Sequence, residues 1–205
     1  MANEMTAASI HWAMGRIKAG VLAHADELNT LDGALGDGDL GVTLCRAVEL
    51  FTSGAPTGED MGMVLFEYAK LFTGTVGSTY GTLVATGLMA AAKLTKGCAS
   101  IPWSEVSSLL GAAGAAMAAR GKSQLGDKTV LDVVEAARHA TENITEPEEL
   151  APAVAKAVSA TIADFRMRPF RQGRARIFGE KGIGLDDPGM IAFQHIVESC
   201  NPTSS

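Results

Sequence analysis

The sequence predicts an all-α fold. Three observations carry that expectation. Alanine and leucine fill most apolar positions, aromatic residues are only 5% of the chain, and alternating β-branched runs are scarce; each favours helix over strand.

The expected elements follow in order. From Ile10 to Leu28, apolar residues recur at Ile10, Met14, Ile17, Val21 and Leu28, along one helical face. A second helix is expected from Val42 to Phe51, and a third from Asp60 to Lys70 with Met61, Val64, Leu65 and Tyr68 on one side. Gly81 to Lys93 follows, then Trp103 to Ala119, where Pro102 stands near the start and Ser104 is the expected N-cap. Thr129 to Thr141, Pro147 to Asp164 and Gly189 to Ser199 complete about eight helices, with Pro152 expected to delay the start of the seventh by a turn. No segment reads as a strand. No Pro/Ser-rich linker divides the chain, so residues 1–205 are expected to form a single domain.

Composition narrows the function classes. Lys+Arg 17 against Asp+Glu 23 gives a net charge of −6, the wrong balance for a general nucleic-acid binder. With 47% hydrophobic residues the chain is not disordered. The three cysteines, Cys45, Cys98 and Cys200, form no CxxC pair, which suits free thiols in a reducing compartment. No basic segment precedes an apolar run at the start. The longest apolar stretch, Leu83 to Ala92, is interrupted by Thr86 and Gly87 and is too short for a bilayer. A cytoplasmic protein without nucleic-acid or membrane partners is expected.

Glycine-rich pieces at 33–41, 74–81, 121–126 and 173–189 fall between the helices, where binding residues tend to sit. The strongest local signal is Leu31-Asp32-Gly33-Ala34-Leu35-Gly36-Asp37-Gly38-Asp39-Leu40-Gly41. Three carboxylates so close repel one another unless a cation or water separates them, and such hard oxygen donors suit Mg²⁺ or Ca²⁺. The loop is no EF-hand, because position twelve counted from Asp32 is Thr43 rather than Glu. Beyond it, Gly41-Val42-Thr43 opens a helix whose N-terminus would favour phosphate. A second loop, Thr73-Gly74-Thr75-Val76-Gly77-Ser78-Thr79-Tyr80-Gly81-Thr82, offers hydroxyls and amides for an anion or, equally, small residues for close helix packing.

Arg120-Gly121-Lys122-Ser123 is not a P-loop: the required earlier glycine is Ala116, and an Ala-rich helix precedes it in place of a strand. Gly126-Asp127-Lys128-Thr129 is expected to cap the next helix through Asp127. Five arginines (Arg166, Arg168, Arg171, Arg174 and Arg176) suggest an anion, a partner protein or a solvated basic face. His11, His24, His139 and His195 have no mutual spacing for a metal and read as structural or surface residues.

Taken together, these pieces resemble the DhaL family, the ADP- or ATP-holding part of dihydroxyacetone kinases, from about Leu28 to Glu198. The markers occur in the family's order: Leu31-Asp32 with Gly36-Asp37-Gly38-Asp39, Gly77 with Tyr80-Gly81-Thr82, Arg120-Gly121-Lys122, Gly126-Asp127-Lys128-Thr129, Gly173-Arg174-Ala175, Gly179-Glu180 and Asp187-Pro188-Gly189. The resemblance implies an antiparallel eight-helix barrel with Mg–nucleotide at one end. Two Mg²⁺ ions would be held by Asp32, Asp37 and Asp39. Leu40, Gly41, Val42 and Thr43 would face the phosphates together with Thr75 and Val76, Gly121 and Val130 would border the adenine, and Arg174 with Asp187, Pro188 and Gly189 would close the site. It also implies phosphoryl transfer to a sugar held covalently by a histidine of a DhaK-type partner subunit. The phosphate would come from a DhaM-type phosphotransferase-system protein or from free ATP. Leu40 stands where the family often has His, and Val76 where Ser is common. The length leaves no room for the sugar domain, as expected of a separate subunit; a homodimer is left open. The competing expectations are a nucleotide-loaded module that signals to a regulator and a helical scaffold that binds nothing.

Overall fold

The computed structural model describes residues 4–75 and 79–201. Nine α-helices occur among them: α1 Ala7–Ala23, α2 Ala25–Leu35, α3 Leu40–Ser53, α4 Met61–Thr75, α5 Thr79–Leu94, α6 Val106–Gly121, α7 Val130–Ala140, α8 Pro147–Arg166 and α9 Pro188–Ser199. Two short strands, β1 Glu4–Thr6 and β2 Ser100–Pro102, pair antiparallel with Met5 opposite Ile101. Three residues each is too short for the alternation that marks a strand in sequence.

Along the chain from α3 to α9 each helix packs on the next, α9 returns to α1, and α1 meets α3. Eight helices thus close a ring, and short connections force successive neighbours antiparallel. The ninth, α2, packs against α3 and α9. Its separation from α1 departs from the single helix expected over Ile10–Leu28. The chain leaves helical geometry at His24 (φ −112°, ψ 12°), where neither Gly nor Pro marks a break.

The ring encloses one apolar core that includes Leu28, Leu44, Val48, Met61, Val64, Tyr68, Val133, Val158 and Met190, all nearly inaccessible. Tyr68 is tolerated there because His11 Nδ1 lies 2.8 Å from its hydroxyl. Two local expectations are corrected. Trp103–Glu105 forms a 3-10 turn leading into α6, and Ser104 caps nothing because the residue before α6 is Glu105. Pro152 lies inside α8, which starts at Pro147. The hydrogen bond it forfeits is to Glu148 in the exposed first turn, where water can reach the carbonyl.

Candidate functional site

Most of the acidic segment is helical. Asp32 belongs to the last turn of α2, so the irregular turn is only Gly36-Asp37-Gly38, ending at Asp39, which stands immediately before α3. Gly38 has φ +75°, a left-handed conformation that glycine adopts freely. The Asp39 N–H donates to Asp32 Oδ2 at 3.0 Å, folding the turn back on its helix. As a result, one carboxylate oxygen from each of Asp32, Asp37 and Asp39 lies within 4.8 Å of the other two. All three are at least partly open to solvent.

The opposite wall comes from the arginine-rich segment. Arg174–Gly182 winds as 3-10 turns interrupted at Gly179, and Phe170 and Ala175 form a small core with Leu35 at the end of α2. Arg174 pairs with Asp37. The guanidinium holds the Asp37 carboxyl below its usual range, and Asp37 raises Arg174 in turn. Two other arginines are engaged elsewhere. Arg166 makes a two-pronged contact with Asp186 at 2.9 and 2.6 Å, and Arg168 pairs with Asp164. Much of the arginine cluster is therefore structural.

These walls enclose a cavity of about 790 Å³ at one end of the helix ring, a volume suited to a small organic ligand. Asp32, Asp37, Asp39, Leu40, Gly121, Val130, Arg174, Asp187, Pro188 and Gly189 all line it. Gly41, Val42 and Thr43 do not. Gly41 and Thr43 are buried, and a Cβ at Gly41 would meet the Ala25 carbonyl oxygen at 2.0 Å. The Val42 N–H donates to Asn29 Oδ1 at 3.1 Å. Thr75 ends α4, and Val76 lies outside the described residues.

Asp187 caps α9, its Oδ1 accepting the Met190 N–H at 2.9 Å. Burial pushes its carboxyl up to about 7, with Asp132 adding repulsion. Tyr80 stands beside it with a buried hydroxyl that has no hydrogen-bond partner among the described residues, and burial raises that phenol well above its usual value.

Two residues that hold the site were given no role by the sequence, Lys128 standing only within the Gly126–Thr129 marker and Gln172 within no motif. Lys128 is 1% exposed, and its Nζ donates to the carbonyls of Arg166, Arg168 and Gly182 at 3.1, 2.8 and 3.2 Å. It also lies 4.2 Å from the Phe170 ring centroid. Burial lowers its pKa, while three carbonyls and an aromatic face favour the ammonium form. Gln172 ties the same segment to the end of α6 through the Gly121 and Lys122 carbonyls at 3.3 and 3.0 Å. The expected cap at Asp127 is corrected: Thr129 caps α7, with Asp132 completing a capping box, and Asp127 accepts the Gln124 N–H at 2.9 Å. Lys122 sits exposed in a left-handed conformation after α6 (φ 51°), not in a loop that opens a helix.

A ring of helices thus carries three carboxylates and an arginine at the mouth of a ligand-sized cavity. Residues 34–201 match the DAK2 domain, and the chain belongs to that family as a DhaL-type member. It is 30% identical over 181 residues to the "PEP-dependent dihydroxyacetone kinase, ADP-binding subunit DhaL" of Escherichia coli, covering 85% of this chain and 86% of that protein. The "PTS-dependent dihydroxyacetone kinase, ADP-binding subunit DhaL" of Lactococcus lactis is 26% identical over 93% of this chain and 94% of its own length. The human triokinase/FMN cyclase is 30% identical over 90% of this chain, which spans 33% of that enzyme. The fold matches the C. freundii dihydroxyacetone kinase in complex with AMP-PNP and Mg²⁺ with a TM-score of 0.74 at 21% identity, over 95% of this chain and 33% of that one. The chain thus spans about a third of that kinase's length.

Proposed function

We propose that this chain is the nucleotide-binding subunit of a dihydroxyacetone or related small-ketose kinase. It holds ADP or ATP with Mg²⁺ in the cavity and passes the phosphoryl group to a sugar carried by a DhaK-type subunit, with phosphate renewed by a DhaM-type phosphotransferase-system protein or by free ATP. The whole chain acts as one nucleotide-binding domain. The observation that carries this reading is the convergence of Asp32, Asp37 and Asp39 within 4.8 Å at the cavity mouth. The full-length relatives named as ADP-binding subunits support it.

The donor set fits Mg²⁺, since all three groups are hard carboxylates and the turn holds them at one place. When bound, Mg²⁺ neutralises phosphate charge and orients the transferred group. Asp32, Asp37 and Asp39 would hold the cation, and for two ions the nucleotide phosphates would complete the coordination and offset the remaining positive charge. Arg174, released from Asp37, turns to the phosphates. Gly121 and Val130 offer an apolar surface for the base, and Asp187, Pro188 and Gly189 close the wall beside Tyr80. Leu40 borders the phosphate side. Gly41, Val42 and Thr43 contribute as the start of α3, whose helix dipole favours the phosphates. Among the described residues no helix is long and apolar enough to cross a membrane. Cytoplasmic residence is part of the same reading, supported by three free cysteines.

The test mixes the protein with a DhaK-type subunit, dihydroxyacetone and either ATP or a phosphorylated DhaM-type protein. Formation of dihydroxyacetone phosphate that requires this chain supports the reading. ADP binding without any product would leave a nucleotide-loaded signalling module in its place.

A further inference from the structure

Sequence spacing separates the four histidines, yet the fold brings two of them together at the far end of α2 from Asp32. His24 lies between α1 and α2, Glu27 is in the first turn of α2, and His195 is on α9. The rings of His24 and His195 stack with centroids 3.8 Å apart and planes 7° from parallel. Glu27 Oε2 lies 3.0 Å from His195 Nε2 and 3.3 Å from His24 Nδ1. One donor atom from each residue falls within 4.8 Å of the other two. Close approach of α1 to α9 makes this possible. A Cβ at Gly20 would meet Ser199 Oγ at 1.7 Å, and Arg16 donates to the Ser199 carbonyl at 2.7 Å.

A surface ion pair does not account for the cluster. His195 is only 9% exposed, and neither ring nitrogen has a hydrogen-bond partner among the described residues. The Glu27 oxygen is near Nε2 but not aligned as an acceptor. A buried imidazole without partners is costly unless something else engages its lone pair. On the other side of the ring Glu198 Oε2 lies 3.8 Å from Nδ1, with its Oε1 held by Gln194 at 2.8 Å. A proton on Nδ1 facing that carboxylate leaves the Nε2 lone pair toward Glu27.

Two imidazoles and a carboxylate are a donor set for Zn²⁺ or a similar late first-row ion, and a poor one for Mg²⁺. We propose that His24, Glu27 and His195 form a second metal site, for Zn²⁺ or a similar transition ion: the half-exposed His24 ring turns out of the stack on binding, so that both ring lone pairs converge on the ion, and water completes the coordination. The ion clamps α1, α2 and α9 together. Glu27 and Asp32 are five residues apart on α2, about 7.5 Å along the axis, so the clamp braces the helix that carries the acidic turn.

The experiment titrates Zn²⁺ into the chelator-stripped full chain in excess Mg²⁺, by calorimetry and by NMR of the histidine ring protons. The expected result is tight binding of Zn²⁺ that perturbs His24 and His195 while His11 and His139 stay in place. Asp37→Asn retains this binding. His195→Gln and the half-exposed His24→Gln weaken it by more than about a hundredfold, beyond the effect of losing an outer hydrogen-bond partner; circular dichroism confirms that His24→Gln folds. The proposal is overturned if the wild type binds no Zn²⁺ or if His24→Gln binds it unchanged. Perturbation of His139, which faces Glu135 and Glu142, or loss of binding on blocking the thiols would overturn it as well.

Discussion

Arg174 and Asp37 form an ion pair that joins the arginine-rich segment to the acidic turn across the mouth of the cavity. Both side chains are about half exposed (56% and 50%), so the pair itself adds little stability. Its consequence is competition: the guanidinium occupies the carboxylate that the cation needs. Arg174→Ala is expected to strengthen binding of Mg²⁺ alone, by no more than about fivefold, the worth of an exposed pair. The same variant weakens ADP binding, because the phosphates lose their cationic partner. Parallel titrations of Mg²⁺ and of Mg·ADP check both halves; weaker binding in both would contradict the competition.

Lys128 holds the arginine-rich segment in place from beneath. Lys128→Met keeps the stem but leaves the carbonyls of Arg166, Arg168 and Gly182 without their donor. A loss of about 1–3 kcal/mol in stability is expected, the cost of unsatisfied buried polar groups. ADP affinity falls as well, because Arg174 is no longer positioned. Urea unfolding with ADP titration measures both.

Asp187 gives stability a defined pH dependence. Its folded pKa of about 7 exceeds the ordinary 3.8, so between these values the folded state keeps a proton that the unfolded chain has lost. The contribution is fully present below the lower value and is lost as pH rises towards the upper one. Asp187→Asn keeps an acceptor for the Met190 N–H and removes that slope. Urea midpoints across the window should fall less with rising pH in the variant; equal slopes would contradict the assignment.

Lys122 supplies a negative control. It is exposed, left-handed and absent from the cavity lining. Lys122→Ala should change stability by no more than about 0.5 kcal/mol and ADP affinity by no more than about twofold, the same energy as a ratio. Abolished nucleotide binding would restore the P-loop reading.

Much of the site was legible because glycine and aspartate write turns and charge directly into sequence. Asp32, Asp37 and Asp39 stood out by spacing, and helical periodicity placed the ring helices to within a few residues. The break at His24 was hidden because the apolar positions from Ile10 to Leu28 keep one face through it. Pairing over long separations was equally hidden: Lys128 reaches Gly182, and Glu27 meets His195, through packing that no local pattern encodes. Asp127 looked like a cap by residue type, but Thr129 lies immediately before α7, with an acidic residue three positions on.

The most direct test is calorimetric titration of ADP into the wild type and Asp37→Ala, each with and without Mg²⁺, with circular dichroism confirming the helical fold. The account predicts binding to the wild type that depends on Mg²⁺ and is not measurable in Asp37→Ala. Equal affinity in the two proteins, or wild-type affinity indifferent to Mg²⁺, would contradict the assignment of the aspartate cluster as the metal site.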